Sequence, residues 1–235
     1  LVGSEMCIRD RYWTLMKKNL EKLNVPMIDD IYESDVDMII NKLEEQGERR
    51  TIDELDWQDE FPYHPLTTFS IAHSCNALYI DFFVRSNYLR AMNYKNNSAV
   101  HEDSAVGFFV KPDPEKEEYF AFMFNCIGTV SGHIYRPGQE PVALPDEILD
   151  RITRFASCGT KPFRELEGLF TWNVVAEIPL DILGVEYSGK PVAMKANFYK
   201  CASGTSQPHF LSWMPIDAPH PDFFRPEFFG DIELD

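Results

Sequence analysis

The sequence predicts a mainly β protein, an antiparallel β-sandwich with an amino-terminal helix and one flanking helix. Three observations lead there. From residue 50 onward, short alternating or aromatic-rich runs recur between Pro, Asn, Gly and charged clusters, the pattern of successive strands. Apolar residues at clear helical spacing stand out in two stretches, 34–46 and 145–155. With 235 residues, 44% of them hydrophobic and 14% aromatic, the chain can bury one substantial core without disulfides or a structural metal, which makes one domain the default.

In chain order, residues 34–46 (SDVDMIINKLEEQ) put Val36, Ile39, Ile40 and Leu43 on one helical face. Ser34 is placed to cap with Asp37 three residues on, and Gly47 ends the helix. Candidate strands follow at 51–55, 67–73, 78–85, 105–110, 119–127, 171–178, 192–201 and 209–213, a set that suits a sandwich. In 145–155, Ile148, Ile152 and Phe155 repeat at helical spacing behind an acidic first turn of Asp146 and Glu147, which predicts the flanking helix. The Pro-rich stretch 215–226 reads as an ordered loop, and loops beside sheets are where binding residues usually sit. The expected organisation is then a segment 1–11 to set aside, an extension 12–49 carrying the helix, and the sandwich domain 50–235. The first segment is set aside because LVGSEMCIRD resembles a sequencing adapter translated in one frame.

Charge narrows the partners. The 38 acidic residues against 22 basic ones give a net charge of -16, spread along the chain, which repels phosphate backbones and anionic lipid heads. Neither a nucleic-acid nor a membrane partner is expected, and no apolar run approaches the roughly 20 residues that span a bilayer. Beyond residue 11 the cysteines are Cys75, Cys126, Cys158 and Cys201, too irregularly spaced for a disulfide scaffold and without a CxxC pair. Reduced thiols and the polar residues after Met16, Lys17 and Lys18 lean toward a cytoplasmic location.

Recognised catalytic patterns are missing from the sequence. Histidines at 64, 73, 101, 133, 209 and 220 are scattered without zinc spacing, so neither metal nor other cofactor is expected. Cys126 and Cys201 with His209 come nearest to a ligand set, and buried structural thiols are the commoner outcome for such cysteines. Ser131 in TVSGH lacks the nucleophile elbow, and dinucleotide and phosphate loops are absent. Glu102 with Asp103, and Glu165 with Glu167, are the paired acids a glycosidase would need, facing each other across a sugar about 5 to 9.5 Å apart. In a chain this acidic, adjacent carboxylates are usually solvated.

What stands out instead is aromatic and amide density in VHEDSAVGFF, YFAFMFNCIGT, ANFYKC and HFLSWMPIDAPHPDFFRPEFFG. In YFAFMFN, alternation puts Phe120, Phe122 and Phe124 on a core face, with Met123 and Asn125 on the other. An amide there suits a concave polar site, since Asn offers both donors and an acceptor to a hydroxylated ligand.

At these segments the sequence resembles the family 9 carbohydrate-binding modules, in their free-standing bacterial, family 9-like branch. The similarity runs from about residue 50 to 230, through the motifs at 61–73, 103–109, 124–129, 196–201 and 212–230. The last, SWMPIDAPHPDFFRPEFFG, is long and specific. The resemblance implies a sandwich that holds a small saccharide or sugar chain end between two aromatic rings, with a Glu, an Arg and an Asn supplying hydrogen bonds. Gly107 stands at the glutamate position and Met123 at the arginine position, so the site is partly degenerate. His101, Asn125, Trp213, Phe224 and Arg225 are expected to converge at one edge of the sandwich, with Asn125 and Arg225 as hydrogen-bonding groups and Phe224 with either His101 or Trp213 as flat faces. The implied function is non-catalytic carbohydrate binding in bacterial polysaccharide catabolism. A carbohydrate-active enzyme using Asp103, Glu102 or Glu165, and a sandwich that binds no small ligand, are the alternatives; the oligomeric state stays open.

Overall fold

A computed structural model describes residues 22–235, so the adapter-like segment 1–11 lies outside the described residues. Two sheets face each other. Five strands form one sheet: β2 (Glu48–Thr51), β3 (Leu66–His73), β4 (Ala77–Ala91), β9 (Thr153–Ala156) and β10 (Phe163–Pro179), in the order β2-β3-β4-β10-β9. The other runs β1-β13-β11-β5-β6-β7-β8, built from β1 (Leu23–Val25), β5 (Ala105–Lys111), β6 (Tyr119–Asn125), β7 (Val130–Tyr135), β8 (Val142–Ala143), β11 (Val192–Cys201) and β13 (Gly230–Leu234). A further strand, β12 (Phe210–Ser212), pairs with the end of β11. Pairing is antiparallel between these strands except for β1 alongside β13.

Alternation along the strands builds the core as the sequence predicts. Ile80, Phe82 and Val84 of β4 meet Val106 and Phe108 of β5, Phe120, Phe122 and Phe124 of β6, and Phe198 of β11. Phe69 of β3 stacks on Phe198 across the two sheets, ring centroids 3.7 Å apart, and Trp213 stands edge-on to both. Such contacts add about 0.5–1.5 kcal/mol each to the area they bury.

Helix α1 (Val36–Gln46) buries Leu43 with Ile28, Ile31, Ala72 and Tyr79 on the outer face of the five-stranded sheet. Its cap is Asp35 rather than Ser34: the Asp35 carboxylate accepts from the Met38 backbone N–H at 2.9 Å. The extension that carries α1 also supplies β1 to one sheet and β2 to the other. The flanking helix is shorter than its spacing suggests. Helix α2 covers only Asp146–Leu149, and residues 153–156 become β9, paired from Thr153↔Glu177 to Ala156↔Val174. Pairing along the open edge of β10 overrides the local helical period there.

Candidate functional site

The outer face of the eight-stranded sheet carries a second apolar layer of Phe109, Ala121, Met123, Tyr199 and Cys201, overlaid by Trp57, Val100, Ile216 and Phe223 from loops. Between these loops lies a groove of about 450 Å³, large enough for a small ligand. Its floor is Phe109, Ala121, Met123, Ser131, His133 and Tyr135 from three neighbouring strands.

Two loops make the walls, and side-chain hydrogen bonds fix each. Asn97 adopts a left-handed backbone (φ 57°), a conformation that Asn tolerates better than most residues. Its side chain donates to the Leu144 carbonyl at 2.9 Å and accepts from the Gly132 N–H at 3.0 Å, which sets the following turn, with Ser98 and His101, along one rim. On the other rim Asp222 accepts from the backbone N–H of Phe224 at 2.9 Å, an Asx turn that presents the Phe224 ring. Phe223 anchors the same loop: its ring stacks on Tyr199 at 4.2 Å, and its carbonyl accepts from the Tyr199 hydroxyl at 3.2 Å.

Phe224 rests against Phe109 (5.3 Å) and Tyr135 (5.0 Å) yet remains 47% exposed, and Tyr135 stacks in turn on Tyr119 at 4.8 Å. Burial pushes the Tyr135 phenol up to about 12, so it stays a neutral donor near pH 7. Burial also lowers the pKa of His133, whose Nδ1 lies 3.4 Å from the Ser131 hydroxyl. The groove therefore combines flat aromatic faces with neutral hydrogen-bonding groups and one carboxylate, Asp222.

Of the residues expected to converge, His101 and Phe224 line this groove. Asn125 does not reach it. Fully buried at the end of β6, it donates to the Asn93 carbonyl (2.7 Å) and to Asp103 (2.9 Å) and accepts from the N–H groups of Ile127 and Thr129. Every hydrogen-bonding direction of the amide is thereby committed to the fold. Trp213 lies between the sheets against Phe69 and Phe198, 4% exposed, so its indole is core and not a platform. Arg225 sits outside the groove lining, its Nε donating to Glu227 at 2.7 Å and its guanidinium 5.5 Å from the Phe228 ring. The sequence reading missed Phe109, Tyr135, His133 and Asp222. Phe109 and Asp222 fall within the aromatic-dense segments, whereas Tyr135 and His133 lie on β7, a strand without a clear signal of its own.

The paired acids are engaged elsewhere. Asp103 is fully buried and accepts from Arg90 (2.9 Å), the N–H groups of Met92 (2.9 Å) and Asn93 (2.8 Å), and Asn125. Glu102 lies 3.5 Å from Arg90, and Glu165 accepts from the N–H and hydroxyl of Ser206. Among the described residues no group of three or more His, Cys, Asp or Glu side chains is placed to hold a metal ion.

Two apposed sheets with an aromatic groove on the outer face of one define a β-sandwich module whose candidate site is a sheet face walled by loops. The chain belongs to carbohydrate-binding family 9, whose model matches residues 35–234. It is similar to a candidate carbohydrate-binding protein from Bacteroides uniformis, with 30% identity, a TM-score of 0.86, and 92% of this chain and 99% of that one covered. A family 9 module from Caldicellulosiruptor kristjanssonii, solved with glucose, shares the fold at 14% identity and a TM-score of 0.58, covering 92% of this chain and 96% of its own. No match was found among curated proteins.

Proposed function

We propose that the protein binds a small saccharide or sugar chain end, without transforming it, in the groove between Phe224 and the 97–101 turn. The observation that carries this reading is the Phe224 ring, backed by Phe109 and Tyr135 and left about half open at the mouth of a concave site. An aromatic face held in that way is suited to the apolar side of a sugar ring. Ser131, His133 and Asp222 supply neutral and charged partners for hydroxyls around it. Family membership supports a sugar as the ligand, and the glucose held by the Caldicellulosiruptor module makes a hexose the first probe.

The reading is of a site with fewer polar contacts than its family pattern. Gly107 and Met123 put no charge on the floor where the resemblance places a Glu and an Arg. Each neutral hydrogen bond is worth only about 0.5–1.5 kcal/mol net, because the sugar gives up water to form it, so modest affinity follows. A single carboxylate in the lining also favours binding over glycoside hydrolysis, which ordinarily uses two carboxyls across the scissile bond. The test is thermal melting against glucose, cellobiose and a panel of other mono- and oligosaccharides, with reducing-sugar release followed in the same samples. A melting temperature that climbs with one sugar, without release of product, is the expected result. A panel that leaves the melt unmoved, or a sugar that is hydrolysed, overturns the proposal.

A further inference from the structure

We infer that the sheet face beyond Phe224 is a second subsite, built around Lys111 and Glu117, which takes the next unit of an uncharged oligosaccharide. The inference rests on the reading of the groove as a sugar site and extends it: a disaccharide becomes the smallest ligand held at full strength.

The sheet face does not end where the groove ends. A period of two puts Gly107, Phe109 and Lys111 on one side of β5, and the pairing of β5 with β6 and of β6 with β7 aligns them with Met123, Ala121 and Tyr119 and with Ser131, His133 and Tyr135. The last row, Lys111, Tyr119 and Tyr135, floors a second hollow of about 510 Å³. It lies two residues further along the strands than Phe109, Ala121 and His133, a step of about 7 Å. Phe224 and Tyr135, ring centroids 5.0 Å apart, line both hollows and are their common wall.

The second hollow supplies the charged hydrogen-bonding groups that the groove floor lacks. Glu117 enters it from the turn that joins β5 to β6, Arg136 and Pro137 from the end of β7, and Pro226 and Glu227 from the segment after Phe224. Arg136 is held by Glu118 at 2.5 Å, and Glu227 by Arg225 at 2.7 Å. Among the described residues no ion pair or side-chain hydrogen bond engages Lys111 or Glu117. A cationic donor and an anionic acceptor are thus left to meet hydroxyls, and charge-assisted hydrogen bonds are roughly twice as strong as neutral ones. Lining charges come in equal numbers, Lys111 and Arg136 against Glu117 and Glu227, and the adjoining groove adds Asp222. An uncharged unit gains from both signs, whereas a uronate would bring its carboxylate beside three others. Lys111, Glu117 and Arg136 fall outside the motifs through which the sequence resembles its family, so this subsite is no part of that resemblance.

Calorimetric titration of the whole protein with glucose and cellobiose, mannose and mannobiose, and xylose and xylobiose tests the subsite. For the sugar that binds, the disaccharide should bind about tenfold more tightly than its monosaccharide. Lys111→Ala and Glu117→Gln should each cut that ratio several-fold, while their melts without sugar match the parent, as expected of residues outside the core. The disaccharide with a glucuronate as its second unit should bind more weakly than cellobiose. A monosaccharide that binds with no gain for its disaccharide, a ratio unmoved in both variants, or a glucuronate disaccharide that binds as well as cellobiose overturns the subsite and leaves the groove reading standing. A protein that binds no sugar of the set overturns both.

Discussion

The thioether of Met123 occupies the space above Gly107: a Cβ built on Gly107 would stand 2.5 Å from Met123 Sδ. The two residues face each other across β5 and β6, and Met123 lines the groove floor. The Met123 side chain thus occupies the space that a side chain at residue 107 would need. Because the obstructing atom is the end of a flexible chain, Gly107→Ala should fold with a stability change of about 1 kcal/mol or less while driving the sulfur into the groove. Sugar affinity should fall several-fold. In the double variant with Met123→Ala the two effects should be non-additive, which a cycle of sugar titrations would reveal. Additive losses would show that the pair does not act together.

Phe224 and Trp213 should separate sharply under truncation. Phe224→Ala removes a ring already half exposed, so it should cost roughly 1 kcal/mol of stability, judged by area, and about tenfold or more of sugar affinity. Trp213→Ala empties a site between Phe69 and Phe198 and should cost about 3–5 kcal/mol. Urea melts and sugar titrations on both variants check the contrast. A Phe224→Ala protein that binds sugar like its parent would move the site elsewhere.

Asp103 should behave as a structural centre. It holds Arg90, two backbone N–H groups and Asn125 together in a place without solvent access. Asp103→Ala leaves those donors buried without an acceptor and should cost about 3–5 kcal/mol. The loss should appear in a chemical melt with no sugar present. An undiminished melt combined with loss of a sugar-directed activity would instead place Asp103 in chemistry.

Asp81, on β4, gives a pH-dependent test. Burial is the main reason its carboxyl is raised from 3.8 to about 6, partly offset by Asn173, whose amide donates to it at 3.1 Å. Because the folded value lies above the unfolded one, this group's favourable contribution is complete below pH 3.8 and is lost as pH rises through about 6. Ionised in the fold near pH 8, it should cost roughly 3 kcal/mol at about 1.36 kcal/mol per unit. Asp81→Asn keeps an acceptor for Asn173 and carries no charge. It should therefore be the more stable protein at pH 8, with the difference shrinking toward pH 4, and urea melts at the two pH values measure it. Equal stability at pH 8 would show that the buried carboxylate is not penalised.

The strands best read from the sequence are those with a strong local signal. β3, β5, β6 and β11 alternate or run apolar over most of their length, and a period of two fixes which residues share a face. The core role of Phe120, Phe122 and Phe124 follows from the same rule, and the helix at Val36–Gln46 from the helical spacing of Val36, Ile39, Ile40 and Leu43. Strands β1 and β13 are not legible because they are short and pair with partners distant in sequence, as in Leu23 with Ile232, whereas β7 and β8 pair with sequence neighbours but lack the run of apolar residues that marks β6. Missing β7 meant missing Tyr135 and His133, and with them a third of the groove floor.

By itself the sequence determined a two-sheet sandwich, its family resemblance and the aromatic segments from which the groove is made. Only the tertiary structure decided which aromatic faces what. Trp213 and Phe223 stand in one aromatic-dense segment, yet the first is locked between the sheets and the second anchors a loop over the outer face. Asn125 shares its face of β6 with Met123, yet Asp103 and the turn to Thr129 consume its amide. Alternation states that a strand has two faces. Which one the other sheet covers, and which hydrogen-bonding group is already spent, is set by contacts between residues far apart in the chain.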